Sequence, residues 1–316
     1  MAEPPATSPA FPRDRTARRE GGKAAVTIFR KLFYRLTRRT VLVGRHRYTR
    51  RPLLYNPLGK RRHAHWLGDV YEIMLRLKEG AFVDVGINVG QTLLMIVGID
   101  PQRRYLGFDP QVGPCFFAEQ FIIENGLSRH SVLPLALSNQ TGVAALNVRS
   151  AGHDAQYSAT ASIVHGFRPA GFYSFAKYIA TARGDDILPR FDLEALAVIK
   201  IDVEGAELEV VEGLLASIDR YAPFIVFEVL PNYHVALHAK ADAETVAFRE
   251  GRLEKLEQVL RSKGYVIYQM SAGGRLGRTG KIRPNATADL STTDYVAVQE
   301  RDEAGFCDHL AAVGRL

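Results

Sequence analysis

With 316 residues, 47% of them apolar, the chain can bury a large core and is not a disordered protein. No uninterrupted apolar run approaches the roughly 20 residues that cross a bilayer, and the proline-rich start lacks a signal-peptide apolar region. Cys115 and Cys307 match no metal or redox spacing, which excludes a disulfide framework and points to a cytoplasmic, reducing compartment. The net charge of +7 conceals an asymmetry: residues 1–68 hold 17 Lys/Arg against Glu3, Asp14 and Glu20, and the remainder 24 against 31 acids.

In chain order, residues 1–24 read as a disordered tail. Residues 25–64 form a basic, partly helical extension, in which Ile28, Phe29, Leu32, Phe33 and Leu36 recur at helical spacing. Arg30, Lys31, Arg35, Arg38 and Arg39 fill the other side. Such a helix suits an anionic membrane face, giving a peripheral contact with its inner side. It equally suits docking on its own domain or across a homo-oligomer. Nucleic acid is disfavoured because no recognised module accompanies the charge.

From residue 65 to 316 strands and helices alternate. HWLGDVYEIMLRLKEG reads as a helix ended by Gly80, AFVDVG as a strand, QTLLMIVGI as a helix and RYLGFDP as a strand stopped by Pro110. A helix over about 114–126 follows, then the strands HSVLPLALS and TGVAALNVRS joined by a turn, NQTG. Residues 151–175 have no clean period and read as a substrate-facing excursion. AKYIATARG and LAVIKIDVEG read as strands, AELEVVEGLLASID as one helix, and PFIVFEVLP as a strand. A helix over about 243–263, the strand YVIYQM and the terminal strand DYVAVQ complete the domain. This alternation predicts an α/β fold with a mostly parallel, doubly wound sheet whose ligands sit at the strands' carboxyl ends.

Three stretches carry chemistry. In FVDVGINVGQT, residues 82–92, Gly86 allows a tight turn and Gly90 a close approach at a helix start, whose free N–H groups suit a carboxylate or phosphate. Asp84 ahead of them would repel a pyrophosphate and favour an amino group or sulfonium. Asp109, nineteen residues beyond Gly90, ends the next strand where a carboxylate can accept from both ribose hydroxyls. A turn cap before Pro110 is the plainer role for it. In IKIDVEGAE, Lys200, Asp202 and Glu204 alternate with apolar residues, which on a strand puts the three charges on one side. Glu228 ends the next strand beside them. A Lys–Asp ion pair with Glu204 capping the following helix is the structural alternative.

Together, FVDVGINVGQT, LGFDP, LPLALSNQTG, GDDIL, IKIDVEGAELEVVEG and IVFEVLP make the chain resemble FkbM-type methyltransferases over roughly residues 65–300. The resemblance implies a Rossmann-like class I methyltransferase fold with an antiparallel terminal strand. It also implies S-adenosylmethionine as cofactor and methylation of a hydroxyl on a sugar, glycolipid or related natural product. By that resemblance Asp84, Gly86, Asn88 and Gly90 hold the methionine half, Asp109 the ribose, and Ser138 lies near the adenine. Asp202 and Glu204 border the transfer site. Asn88 replaces a common glycine, Asp109 a common Glu, and Arg183 a residue of the usual run before Asp185.

A hydroxyl needs a base. Asp202 is the expected base, with Glu204 and Glu228 orienting the acceptor; His153, His165 and His234 are alternatives. The same acids could hold Mg2+, but the expected site contains no metal. An NAD-dependent oxidoreductase lacks its G-x-G-x-x-G and proton relay here, and a non-catalytic binding protein on this fold would not need the intact cofactor residues.

Overall fold

A computed structural model describes residues 57–316 apart from 89, 150–157, 235–238, 272 and 287–288. The expected tail and amphipathic helix lie outside the described residues. Helix α1 (Pro57–Leu77) begins inside the basic extension and continues through the first predicted helix, so the boundary at 65 falls within it.

Next come β1 (Ala81–Val85), α2 (Gln91–Ile99), β2 (Tyr105–Phe108), α3 (Val112–Glu124) and β3 (His130–Leu133). β4 (Ala136–Ser138), β5 (Gly142–Val148) and β6 (Phe175–Arg183) form a separate three-stranded sheet, ordered β4-β6-β5. The short α4 (Gly184–Ile187) leads to β7 (Leu196–Ile201), α5 (Glu207–Glu212), α6 (Leu215–Tyr221) and β8 (Phe224–Glu228). A two-residue pair, β9 (Tyr233–His234) and β10 (Ala239–Lys240), precedes α7 (Ala243–Ser262), β11 (Tyr265–Met270), β12 (Leu276–Arg278), β13 (Asp294–Gln299) and α8 (Glu300–Ala312).

The main sheet has the order β12-β11-β13-β8-β7-β1-β2-β3. β8, β7, β1, β2 and β3 are parallel, and β13 inserts antiparallel between β8 and β11. Strand alternation sends apolar side chains to both faces. Phe82 and Val198 pack with Tyr71, Met74, Ile96, Phe121 and Phe306 under α1, α2, α3 and α8. Val83, Ile199 and Ile225 pack with Val211, Ile218, Leu256 and Leu260 under α5, α6 and α7. The expected doubly wound sheet is therefore the observed one.

Three local expectations change. HSVLPLALS is not one strand: Pro134 separates β3 from β4, and the two join different sheets. AELEVVEGLLASID is two helices, broken at Gly213, where an added Cβ would lie 2.0 Å from the Ser138 carbonyl oxygen. The chain also continues past DYVAVQ into α8, which buries only Phe306 and Leu310 in an otherwise polar segment, too sparse a stripe to mark a helix.

Candidate active site

The carboxyl ends of β1 and β2 are tied together by the backbone. Gly86 (φ 88°) donates its N–H to the Phe108 carbonyl at 2.7 Å, and an added Cβ there would lie 1.9 Å from the Asp202 oxygen. Glycine is needed because the end of β7 passes directly beneath the turn. Asn88 (φ 47°) donates its N–H to Asp109 Oδ2 at 3.1 Å, and the Gln111 N–H reaches Asp109 Oδ1 at 2.8 Å. Burial pushes the Asp109 carboxyl up to about 6, against the lowering effect of these two N–H groups. Gly90 (φ 84°) is the N-cap of α2, makes no side-chain cap and has open space where a Cβ would sit.

Asp84 is placed differently from the sequence expectation. It is fully buried, accepts from the Tyr105 hydroxyl at 2.5 Å and pairs with Lys200 Nζ at 3.2 Å. Its cationic partner is the protein's own lysine, and it does not line the cavity above. Burial raises its pKa, with Lys200 and Tyr105 opposing the rise.

That cavity, of about 350 Å³, opens at the carboxyl ends of β1, β2, β7 and β8, within the size range of small-molecule sites. Asn88, Asp109 and Gln111 give it a polar wall, and Leu135, Ala136, Leu137 and Leu146 an apolar one. Ser158, Thr160 and Ile163 cover one side. Gln111 clamps that cover, its Oε1 accepting from the Ser158 N–H at 2.9 Å and its Nε2 donating to the Ser158 carbonyl at 3.0 Å. Further along, Arg249 is 2% exposed and donates from Nε and Nη2 to the Phe167 carbonyl at 3.1 and 2.8 Å. Its guanidinium also lies over the Phe167 ring, 4.5 Å from the centroid. Part of the irregular 151–175 segment is thus a wall of the cavity, as expected.

The opposite end of the cavity is acidic. β7 stops at Ile201, so Asp202 and Glu204 sit in the following turn, with Glu204 at φ 55°. A turn, not strand alternation, brings them to the cavity. Lys200 Nζ contacts Asp202 at 3.3 Å and donates to the Gly86 carbonyl at 2.9 Å, linking the ends of β1 and β7. Glu204 pairs with Arg168 at 2.6 Å; it does not cap α5, whose N-cap Ala206 has no side-chain cap bond. Glu207 Oε1 instead accepts from the Gly205 N–H at 3.0 Å. Glu228 accepts from the Thr293 hydroxyl at 3.1 Å, and its register partner in β13 is Asp294.

Asp202, Glu204 and Glu228 each offer a carboxylate oxygen, all within 4.8 Å of one another. Burial, opposed by Arg168 and reinforced by Asp202, pushes Glu204 up to about 7. Glu228 is raised by burial and by Asp202 and Glu204, and burial pushes Asp294 up to about 7. Acids this close share protons or attract a cation. A sulfonium or a hard divalent ion would each meet suitable oxygen donors here.

Among the sequence-predicted residues, Gly86, Asn88, Asp109, Asp202, Glu204 and Glu228 line the one cavity. Ser138 does not: it ends β4, and with exposed His165 it borders a separate groove over the three-stranded sheet. Leu135, Ala136 and Leu137, just before it, provide the apolar wall instead. His234 falls in β9, and His153 lies outside the described residues. Sequence reasoning missed Gln111, Arg168 and Asp294. Of these only Asp294 carried a signal, an acid opening an otherwise apolar strand. The GDDIL run is structural, since Asp185 accepts from the Ala216 and Ser217 N–H groups at 2.9 and 2.8 Å and so caps α6.

The residues fit S-adenosylmethionine. A carboxylate with spare lone pairs at Asp109, an apolar wall and an acid-rich end answer its ribose, adenine and sulfonium in turn, while Gly90, the start of α2, is not among the residues lining the cavity. No curated protein matches this chain. Among solved structures it is similar to a methyltransferase FkbM from Methylobacillus flagellatus KT, at 16% identity and TM-score 0.40, covering 69% of this chain and 43% of that one. The chain thus spans less than half of that relative's length. A ribosomal protein L11 methylase from Lactobacillus delbrueckii subsp. bulgaricus shows 14% identity and TM-score 0.37, over 76% of this chain and 78% of that one. An O-methyltransferase from a Brevibacillus brevis polyketide synthase multienzyme, in complex with S-adenosyl-L-homocysteine, shows 10% identity and TM-score 0.32, over 67% and 58%. Residues 84–267, from the end of β1 into β11 and more than half of the chain, match the methyltransferase FkbM domain. The chain belongs to the methyltransferase FkbM family.

Proposed function

We propose that the protein transfers a methyl group to a hydroxyl of a sugar, glycolipid or related natural product, with Asp202 as general base. The observation that carries this reading is the facing of two dissimilar ends across one cavity: Asp109 on the polar wall and the Asp202–Glu204–Glu228 group opposite. The cofactor supplies an electrophilic methyl on a sulfonium. The Asp109 carboxylate binds and orients it. The apolar wall at Leu135–Leu137 takes its base, and the clamped Ser158–Ile163 segment excludes water.

Displacement at a methyl carbon depends mainly on alignment. Removing the hydroxyl proton contributes about 10²–10⁴-fold. Asp202 faces the cavity with 36% of its side chain exposed and the Lys200 ammonium behind it. Glu204, fixed by Arg168, and Glu228, fixed by Thr293, bear raised pKa values and act as hydrogen-bond partners for the acceptor.

Incubation with methyl-labelled S-adenosylmethionine and fractionated glycans, glycolipids and small natural products tests the reading. Alkali-stable label in a hydroxylated acceptor is expected. Label only in protein or at nitrogen would remove O-methylation. Failure of S-adenosylhomocysteine to raise Tm, together with no labelled product, would leave a binding protein on this fold.

A further inference from the structure

The turn that carries two of the cavity acids is held in shape by a remote part of the chain. Asp202 leaves β7 with its N–H on the Val85 carbonyl at 2.9 Å, and the chain then takes left-handed angles at Glu204 (φ 55°) and Gly205 (φ 105°). A residue other than glycine keeps such an angle only where its surroundings impose it. At Gly205 an added Cβ would lie 2.5 Å from the Phe167 ring, so the ring stands where a side chain would be. Val203 and Ala206, on either side, pack with Val164 and Phe167 in one small apolar cluster. Arg168, the next residue, pairs with Glu204 at 2.6 Å.

Helix α7 grips both sides of this contact. Arg249 covers the Phe167 ring and donates to the Phe167 carbonyl and, at 2.9 Å, to that of Pro231. Arg252, one turn on, donates to the Gly205 carbonyl at 2.9 Å. The cavity cover is fixed separately. Between the Gln111 clamp at Ser158 and the wedge at Phe167, Ser162 exchanges two backbone bonds with Asn147 of β5, at 2.9 and 3.1 Å. The acid end can therefore be disturbed without releasing the cover at the cofactor end.

We infer that Phe167 and Arg168 are positioning residues for methyl transfer, holding the turn so that Asp202 and Glu204 face the sulfonium and the acceptor. Neither residue lines the cavity, so both act through the turn. What the acids do there rests on the methyl-transfer reading above; what holds them rests on these contacts alone. Displacement by about 1 Å at a reacting centre costs on the order of 10²-fold in rate, which is the scale on which such a buttress matters.

Calorimetry of the full chain with S-adenosylmethionine and with S-adenosylhomocysteine tests it, with Tm recorded for each variant. Phe167→Ala is expected to lower the ratio of the two affinities by about threefold or more, because the acids move away from the sulfonium charge. S-adenosylhomocysteine affinity itself should stay within a factor of about three. Phe167→Val should act in the same direction to a lesser degree, and carries the test if the alanine variant does not fold. Combined with Asp202→Asn, Phe167→Ala should add little, since both changes remove the same carboxylate from the sulfonium. Gln111→Leu should weaken both ligands alike and leave the ratio unchanged. Arg168→Gln should lower transfer to the hydroxylated acceptor fraction by about tenfold at unchanged cofactor KM, and Arg168→Lys should restore most of it. A ratio unchanged in both Phe167 variants overturns the inference, even if Tm falls, and so does an equal fall in Gln111→Leu or full additivity with Asp202→Asn. If neither ligand binds the unaltered chain, the methyl-transfer reading falls as well; if both bind and only the ratio fails to respond, that reading stands.

Discussion

At the ends of β1 and β2 each carboxylate has its own partners, Lys200 and Tyr105 for Asp84 and two backbone N–H groups for Asp109. At the ends of β7 and β8, Asp202, Glu204, Glu228 and Asp294 outnumber the cations Lys200 and Arg168. The first region is organised before any ligand arrives, so it can bind by fixed geometry. The second holds more negative charge than it balances, and its protonation changes with what enters. Such a division suits a reaction in which one substrate is gripped and the other is deprotonated.

Removing the proposed base separates the two regions most strongly. Asp202→Asn is expected to lower kcat by about 10²–10⁴-fold while S-adenosylhomocysteine affinity, read by calorimetry, stays within a factor of about three. Equal losses in both would mean that Asp202 belongs with the cofactor. Lys200→Met leaves Asp84 buried without its counter-charge and should destabilise the fold by about 3–5 kcal/mol in urea unfolding. Restoration by the double variant Lys200→Met, Asp84→Asn would confirm that Asp84 is structural.

Asp109→Asn keeps the shape but turns amide hydrogens towards the Asn88 or Gln111 N–H. Cofactor affinity is expected to fall by about 10–100-fold, and Tm of the free protein by a few degrees, because a buried N–H left facing an amide donor costs about 1–3 kcal/mol.

The smallest effect is a pH dependence. Glu204, Glu207 and Asp294, at about 7, and Asp109, at about 6, lie above the unfolded carboxylate range. The folded chain therefore holds more protons than the unfolded one between about pH 4 and 7. This stability is fully present below the unfolded values and is lost as pH rises through the folded ones. The free protein should melt a few degrees higher at about pH 5.5 than at about pH 7.5. Cationic S-adenosylmethionine should raise Tm more than S-adenosylhomocysteine at the higher pH, and the gap should close on acidification. A gap independent of pH would mean that the acid cluster does not sense the sulfonium.

What could be read in advance depended on how local the cause was. The parallel sheet, Gly86, Gly90, Asp109, and the gathering of Asp202 with Glu228 followed from strand ends and their spacing, because neighbouring strand ends in a parallel sheet lie side by side. Glu204 joined them for a reason the pattern concealed, a left-handed turn in place of a strand. Gln111 and Arg168 were invisible because their partners, Ser158 and Glu204, lie 47 and 36 residues away. Asp84 was misread for the same reason: its neutralising Lys200 is remote in sequence and adjacent only through the β1–β7 pairing.

The sequence by itself thus determined the fold class, the family and the chemical kind of both cavity ends, since local hydrophobic period and the residues at strand ends suffice for these. Only the tertiary structure decided which acids face the cavity and which are sealed beneath it. The reason is that this depends on charges brought together from distant parts of the chain.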